Sequence, residues 1–269
     1  MKKIRGGFTV IEVSIFLAVT GLLFIGITVG VQNSIFQQKY TDAVQGFANF
    51  LRNAYSEVLN VQGLGDLGSG TTELAVYGRM IVFGESNGDQ TIRTYSVIGD
   101  LDKSSNCQDS LNVFDRLIKC YRATTTIGSG SSESFAGIVG KYEPRWGTKI
   151  QKANWVQGGN NNYEGVVLIV RNPESGKVYT GTYEGGNDGL SIDFSSIDFD
   201  EPGIIDGIFN VFRSQDQSSI GAANVDFCVN PNGDEESSRR ADVRIKKGTT
   251  NASGIEVIMD GEGNVCRGE

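Results

Sequence analysis

The chain has 269 residues, 39% of them hydrophobic and 21% charged, with 36 glycines and a formal net charge of −8. That composition suits a turn-rich, β-containing body with a sizeable core and excludes a polytopic membrane protein. Histidine is absent, so Ser-His-Asp and Cys-His catalysis, HExxH zinc chemistry and histidine proton shuttling are excluded, and the acidic balance disfavours nucleic acid or an anionic surface as partner of the whole molecule, leaving only a local basic patch for such contacts.

The first element is an apolar run from Phe8 to Val31, preceded by Met-Lys-Lys-Ile-Arg-Gly-Gly and broken by one charge, Glu12. Val13 to Val31 is 19 residues without a formal charge, close to the roughly 20 that cross a bilayer as a helix. Lys2, Lys3 and Arg5 precede the run, and no lysine or arginine follows before Lys39. This asymmetry predicts a single-pass membrane protein with its N-terminus in the cytoplasm and its body outside, in contact with membrane lipid. Gly30-Val31-Gln32-Asn33 is a poor signal-peptidase site, so the run is expected to stay as an anchor. A carboxylate within a membrane helix costs about 2.5–3.5 kcal/mol on insertion scales, which marks Glu12 as functional and in need of a partner.

The segment Lys-Ile-Arg-Gly-Gly-Phe-Thr-Val-Ile-Glu-Val resembles the class III signal of type IV pilins and type II secretion pseudopilins. In that family a basic leader ends in glycine, prepilin peptidase cuts after it on the cytoplasmic side, and the new N-terminal residue, usually phenylalanine, is N-methylated. The resemblance implies a leader of residues 1–7, cleavage between Gly7 and Phe8, a polymerisation helix over 8–31, and Glu12 as the fifth mature residue. The physical logic runs parallel. Cleavage places a cationic amine on Phe8 within an apolar bundle, and pairing it with Glu12 of a neighbouring subunit makes two costly charges acceptable together. In an unassembled chain Glu12 snorkels to the cytoplasmic interface instead. Many pilins carry a helix-bending proline here; this chain has none before Pro144, and Gly21, Gly26 and Gly30 are its softening residues.

Beyond Val31 the pattern turns amphipathic, with Ile35, Phe36, Tyr40, Val44, Phe47, Leu51, Tyr55 and Val58 at three- and four-residue steps, which predicts that the helix continues to about Asn60 as a spine over 32–62. A helix from Phe8 to Asn60 would be a rod of roughly 80 Å. The glycine-rich stretch Gly63 to Gly70 ends it. From residue 71 to the end, short β runs alternate with Gly, Asn, Asp and Ser. Strands are predicted at Glu73–Gly84, Thr91–Gly99, Phe135–Gly140, Lys149–Gln157, Gly165–Arg171, Gly176–Tyr183, Val225–Val229, Ala241–Lys247 and Gly254–Asp260, and Leu111–Arg122 reads as a short helix or strand. Ser86-Asn87-Gly88-Asp89 joins the first two as a hairpin. The fold class is therefore α+β, an antiparallel sheet domain on the amphipathic half of a long N-terminal helix. That layout is similar to pilins, and more loosely to minor pilins and the H-type minor pseudopilins.

Four cysteines, Cys107, Cys120, Cys228 and Cys266, are predicted to form disulfides in a body outside the membrane, with free structural thiols as the alternative. Sequence proximity favours Cys107 with Cys120 and Cys228 with Cys266, among three possible connectivities. The second pair would close a loop of about 39 residues, worth about 3–4 kcal/mol in the chain-entropy model, and resembles the bridge that ties down the C-terminal region of many pilins. No cofactor is expected. Glu184 to Asp206 is acidic, and Asp198, Asp200 and Glu201 are weak calcium candidates by resemblance to the calcium loop of major pseudopilins, but the spacing matches no EF-hand and an acidic run is usually a solvated loop. Asn230 to Glu236 is turn chemistry.

In the strand at 241–247, inward-facing Ala241, Val243 and Ile245 would put Arg240, Asp242, Arg244 and Lys246 on the outer face. That row reads either as a DNA-contacting patch, as in minor pilins that act as DNA receptors, or as a solubilising edge strand. Removing the leader takes three of the 24 cations and leaves 21 against 32 acidic residues, a net of −11, which weighs against DNA. No GxSxG, phosphate loop or dinucleotide fingerprint is present. Trp146 and Trp155 could line a sugar site but read first as ordinary aromatics.

The expected function is that of a non-enzymatic structural subunit, a minor pilin or pseudopilin. It would be processed by prepilin peptidase, handled by an inner-membrane assembly platform and built with other subunits into a filament in the periplasm or at the cell surface. Such filaments serve adhesion, twitching, DNA uptake or protein secretion. The competing expectation is an extracytoplasmic binding protein or hydrolase on an ordinary anchor.

Overall fold

The computed structural model describes residues 9–60, 74–86, 89–100, 126–127, 134–135, 138–152, 165–172, 175–184, 224–231, 240–259 and 266. The chain divides into two units, Met1–Asp42 and Ala43–Glu269. One helix, α1, runs unbroken over Val10–Leu59, ending one residue before the predicted Asn60. It passes through Gly21, Gly26 and Gly30, each in open surroundings.

In the first unit the large apolar side chains of α1 face outward, Val10 at 83% and Phe24 at 72% exposure. Exposure on this scale separates α1 from the core helix of a soluble domain. The segment is long and apolar enough to cross a membrane. Its polar groups are satisfied within the helix: Ser14 Oγ donates to the Val10 carbonyl at 2.8 Å, Thr20 Oγ1 to Phe16 at 2.7 Å and Thr28 Oγ1 to Phe24 at 2.8 Å. Hydroxyls folded back on the i−4 carbonyl suit a medium without water.

In the second unit the strands are β1 (Leu74–Ser86), β2 (Asp89–Asp100), β3 (Thr126–Ile127), β4 (Ser134–Phe135), β5 (Ile138–Tyr142), β6 (Lys149–Lys152), β7 (Gly165–Arg171), β8 (Val178–Glu184), β9 (Val225–Asn230), β10 (Ala241–Ile245) and β11 (Ile255–Ile258). Among the described residues they form a five-stranded sheet in the order β5-β2-β1-β7-β8, a four-stranded sheet β11-β10-β9-β6 and the pair β3-β4. Every pairing is antiparallel, so the class is α+β. The first two strands pair antiparallel with Ser86 opposite Asp89, as expected of the hairpin; Asn87 and Gly88 lie outside the described residues. The run expected over Phe135–Gly140 is instead two strands in different sheets. Gly254 lies in a 3-10 turn, Ala252–Gly254, because the Asn251 side chain accepts from Ser253 N–H and caps it, so β11 starts at Ile255. The Leu111–Arg122 segment lies outside the described residues.

Gly78 sits where the β1 register shifts. A Cβ there would overlap the Ile169 carbonyl oxygen and lie 3.0 Å from Val170 Cα, so β1 and β7 approach more closely than a side chain permits.

Within this unit the last third of α1 is the spine predicted from its periodicity. Ala43, Val44, Phe47, Ala48, Leu51, Ala54, Tyr55 and Val58 are buried, whereas Ile35 and Phe36, which the same pattern marked as packing positions, belong to the exposed segment. Phe47 lies at the junction of helix and both sheets, with ring centroids 6.3 Å from Phe83 of β1, 5.5 Å from Phe227 of β9 and 5.9 Å from Tyr142 of β5. Polar bridges surround this apolar centre. Arg52 Nη2 donates to the Ile255 carbonyl at 3.1 Å, Arg79 Nε reaches Glu57 at 2.8 Å, Arg171 Nη1 caps the Leu59 carbonyl at 3.0 Å, and Tyr55 hydrogen-bonds Thr180. The Arg171 contact answers a helix C-terminus whose last carbonyls lack intrahelical donors.

The two larger sheets are also joined by one buried amide. Gln90 of β2 donates from Nε2 to the Ile150 carbonyl at 2.5 Å and accepts from Ile150 N–H at 2.7 Å. It thus mimics a backbone partner for β6, the edge of the four-stranded sheet. Gln90→Leu keeps the volume but strands both Ile150 groups, and should cost about 2–4 kcal/mol in urea unfolding of the full chain. A loss within the roughly 0.5 kcal/mol of an ordinary surface change would refute this role.

Candidate assembly site and the basic strand

Glu12 is the one charged residue in the described part of α1 before Lys39. Thr9 precedes the first helical residue, so Glu12 occupies the third helical position, the spacing of a capping box. The geometry is reciprocal. Thr9 N–H donates to Glu12 Oε2 at 2.9 Å, the Thr9 hydroxyl donates to the same oxygen at 2.9 Å, and Glu12 N–H donates to Thr9 Oγ1 at 3.3 Å. The carboxylate is therefore held back against the first turn, where the helix dipole favours negative charge. Thr-x-x-Glu directly before an apolar run is a readable capping signal, and Thr9 is the functional candidate that motif reading centred on Glu12 passed over. Gly7 and Phe8 lie outside the described residues.

Cys228 and Cys266 are joined, with Cα atoms 5.3 Å apart, and both are buried. Of the sequence candidates this pair is brought together; Cys107 and Cys120 lie outside the described residues, as do Asp198, Asp200 and Glu201. Among the described residues no group of three or more potential metal ligands converges.

The row Arg240, Arg244 and Lys246 requires a correction. Ala241, Val243 and Ile245 are buried as expected, but Asp242, assigned to the outer face, is fully buried as well. It lies opposite Cys228 in the β9–β10 register, on the face onto which the disulfide brings Cys266. Arg244 stands opposite Asp226 on one side and Glu256 on the other. It pairs with Asp226, and with Asp242 at 2.8 Å, its side chain only 15% exposed. Burial disfavours its charge, but the Asp226 hydrogen bond and the carboxylates of Asp226, Asp242 and Glu256 outweigh that, and the guanidinium pKa is raised. Lys246 pairs with Glu256, and Arg240 is half-buried. Asp226 and Glu256 on the neighbouring strands, invisible to a single-strand pattern, join Asp242 in tying Arg244 and Lys246 into a paired network.

Comparison with protein-family models, curated proteins and solved structures finds no match to this chain.

Proposed function

We propose that the chain is a subunit of a type IV pilus-like filament, a minor pilin or pseudopilin. In this reading it is cut between Gly7 and Phe8 and assembles through α1, with Glu12 pairing the new amine of a neighbouring subunit. The observation that carries the reading is Glu12 itself: the one charge in the apolar, outward-facing stretch of α1 before Lys39, held at the first turn by Thr9. An ordinary anchor would gain only the cap from this residue, whereas the pairing role also uses its charge. The cap survives the proposed cut, because Thr9 N–H remains an amide once Phe8 becomes the first residue. Prepilin peptidase, an assembly platform and other subunits are the partners this reading names. The N-terminus is cytoplasmic, by its three leader cations, and the role is structural rather than catalytic.

The paired Arg244 network favours structure over DNA contact, so nucleic-acid binding is not part of the proposal. Mass spectrometry of the chain expressed with and without prepilin peptidase tests the reading. The expected result is an N-terminus at Phe8 carrying an added methyl group, only when the peptidase is present. An intact leader under both conditions would return the chain to the class of ordinary membrane-anchored binding proteins or hydrolases.

A further inference from the structure

Strands β10 and β11 are joined by residues 246–254, a tip made only of Lys, Gly, Thr, Asn, Ala and Ser. Its backbone is closed on itself. Lys246 N–H donates to the Gly254 carbonyl at 3.0 Å, Thr249 N–H to the Lys246 carbonyl at 3.1 Å and Gly254 N–H to the Asn251 carbonyl at 3.2 Å. Gly248 turns the chain with a φ of 67°, where a side chain would be strained, and Lys247 N–H ties the tip to Asn224 Oδ1 at 2.8 Å. Lys246, Lys247, Gly248, Thr250, Asn251 and Ser253 are exposed on this frame.

The tip contains Asn251-Ala252-Ser253, and alone among the chain's asparagines Asn251 is followed two positions on by serine or threonine. Asn-x-Ser with x other than proline is the acceptor pattern for an N-linked glycan, and it belongs on a surface loop outside the cytoplasm. The structure puts it on one. Asn251 Oδ1 accepts from Ser253 N–H at 3.0 Å and from Ser253 Oγ at 2.5 Å, so the amide and the hydroxyl of the pattern lie together on one exposed turn.

These contacts also separate what the fold needs from what a sugar needs. The 3-10 turn Ala252–Gly254 is capped through Oδ1 alone, whereas a glycan bonds to Nδ2, so the cap and the sugar do not compete. The cap asks only for a backbone N–H at position 253, which any residue but proline supplies. The hydroxyl there is the part of the pattern that the turn does not require. With no large apolar side chain in the tip, a bulky, solvated group at Asn251 displaces water and disturbs no core contact.

We propose that Asn251 is an N-glycosylation site. The donor is an oligosaccharide carried on a polyisoprenyl diphosphate, and the catalyst is a membrane-bound oligosaccharyltransferase. In the transfer, Asn251 Nδ2 bonds to C1 of the first sugar as the bond from C1 to the diphosphate oxygen breaks. The lipid diphosphate leaves with that electron pair, and Nδ2 gives up one of its two protons to a base of the transferase. The inference rests on the body lying outside the cytoplasm, and is independent of filament assembly.

The test uses the full chain purified from membranes of the cells that make it, reduced and cut with trypsin, which releases residues 248–267 as one peptide. The expected result is a peptide heavier by whole sugar units, with electron-transfer fragmentation placing them on Asn251. Asn251→Asp keeps a side-chain oxygen for the cap and removes the nitrogen that is glycosylated; Ser253→Ala keeps the capping N–H and removes the hydroxyl. Each should lose the sugar entirely while the chain still unfolds cooperatively, and Ser253→Thr should retain it. A bare peptide, sugar on an oxygen of Thr249, Thr250 or Ser253, or undiminished occupancy in Ser253→Ala would overturn the proposal. Protease added to right-side-out membrane vesicles tells two failures apart. A digested body with bare Asn251 rejects the site alone, and a protected body rejects the extracytoplasmic placement together with it.

Discussion

A chain carrying Glu12→Leu is expected to insert in the membrane at least as well as the parent and to be lost from filaments. Removing the carboxylate can only ease insertion, by at most the roughly 2.5–3.5 kcal/mol of a charge at a helix centre, so a defect cannot be ascribed to failed targeting. In the filament proposed above, the substitution would leave a neighbour's Phe8 amine in an apolar bundle without a counter-charge. Breaking a buried ion pair by removing one partner costs about 3–5 kcal/mol, which at about 1.4 kcal/mol per tenfold is a hundredfold or more in subunit association. The measurement is the ratio of chain in sheared filaments to chain in membranes.

Thr9 separates the charge from the cap. Thr9→Val removes the hydroxyl that bonds Glu12 but keeps the carboxylate, and should cost only about the 1 kcal/mol of a lost N-cap. Thr9→Ser should restore the parent behaviour. If Glu12→Leu enters filaments as the parent does, the pairing mechanism is wrong. A Thr9→Val defect as deep as that of Glu12→Leu would show that the cap, and not the charge, governs assembly.

How much of this was legible in the sequence depends on how local each cause is. The helix was legible almost to its last residue, because Val44, Phe47, Leu51, Tyr55 and Val58 repeat at helical spacing and all are buried. Strand β7 was placed to the residue: Gly165–Arg171 is a short, continuous apolar run between polar segments, and such runs are strands covered on both faces. The Cys228–Cys266 pair followed from proximity. The basic strand was legible only in part, its inward residues placed and Asp242 misplaced, for the complementary reason. Alternation within 240–246 says which residues share a face, but the state of Arg244 is set by Asp226 and Glu256, 18 positions before it and 12 after it. Gln90 is of the same kind, since its partner Ile150 is 60 residues away.

Phe47→Ala is expected to remove much of the stability of the body, and the reason lies in where its ring sits rather than in its size alone. A fully buried phenylalanine reduced to alanine costs about 3–5 kcal/mol, against a total of about 5–15 kcal/mol for a typical domain. Here the ring also meets Phe227 edge-on at 5.5 Å and Phe83 edge-on at 6.3 Å, while Phe83 and Phe227 stack on one another at 5.5 Å. These three rings belong to the helix, the five-stranded sheet and the four-stranded sheet. Removing Phe47 therefore opens a cavity at a place where all three meet, among close-packed neighbours that relax only in part. Phe50, half-buried and stacked on Tyr142 at 5.0 Å, is the matched control. Its truncation should cost about 1–2 kcal/mol, because its site reaches solvent and leaves no sealed void. Urea unfolding of the full chain in detergent, followed by near-ultraviolet circular dichroism, separates the two. Equal losses for Phe47→Ala and Phe50→Ala would mean that the sheets are held by their own contacts and by Gln90, with the helix laid over an already formed core.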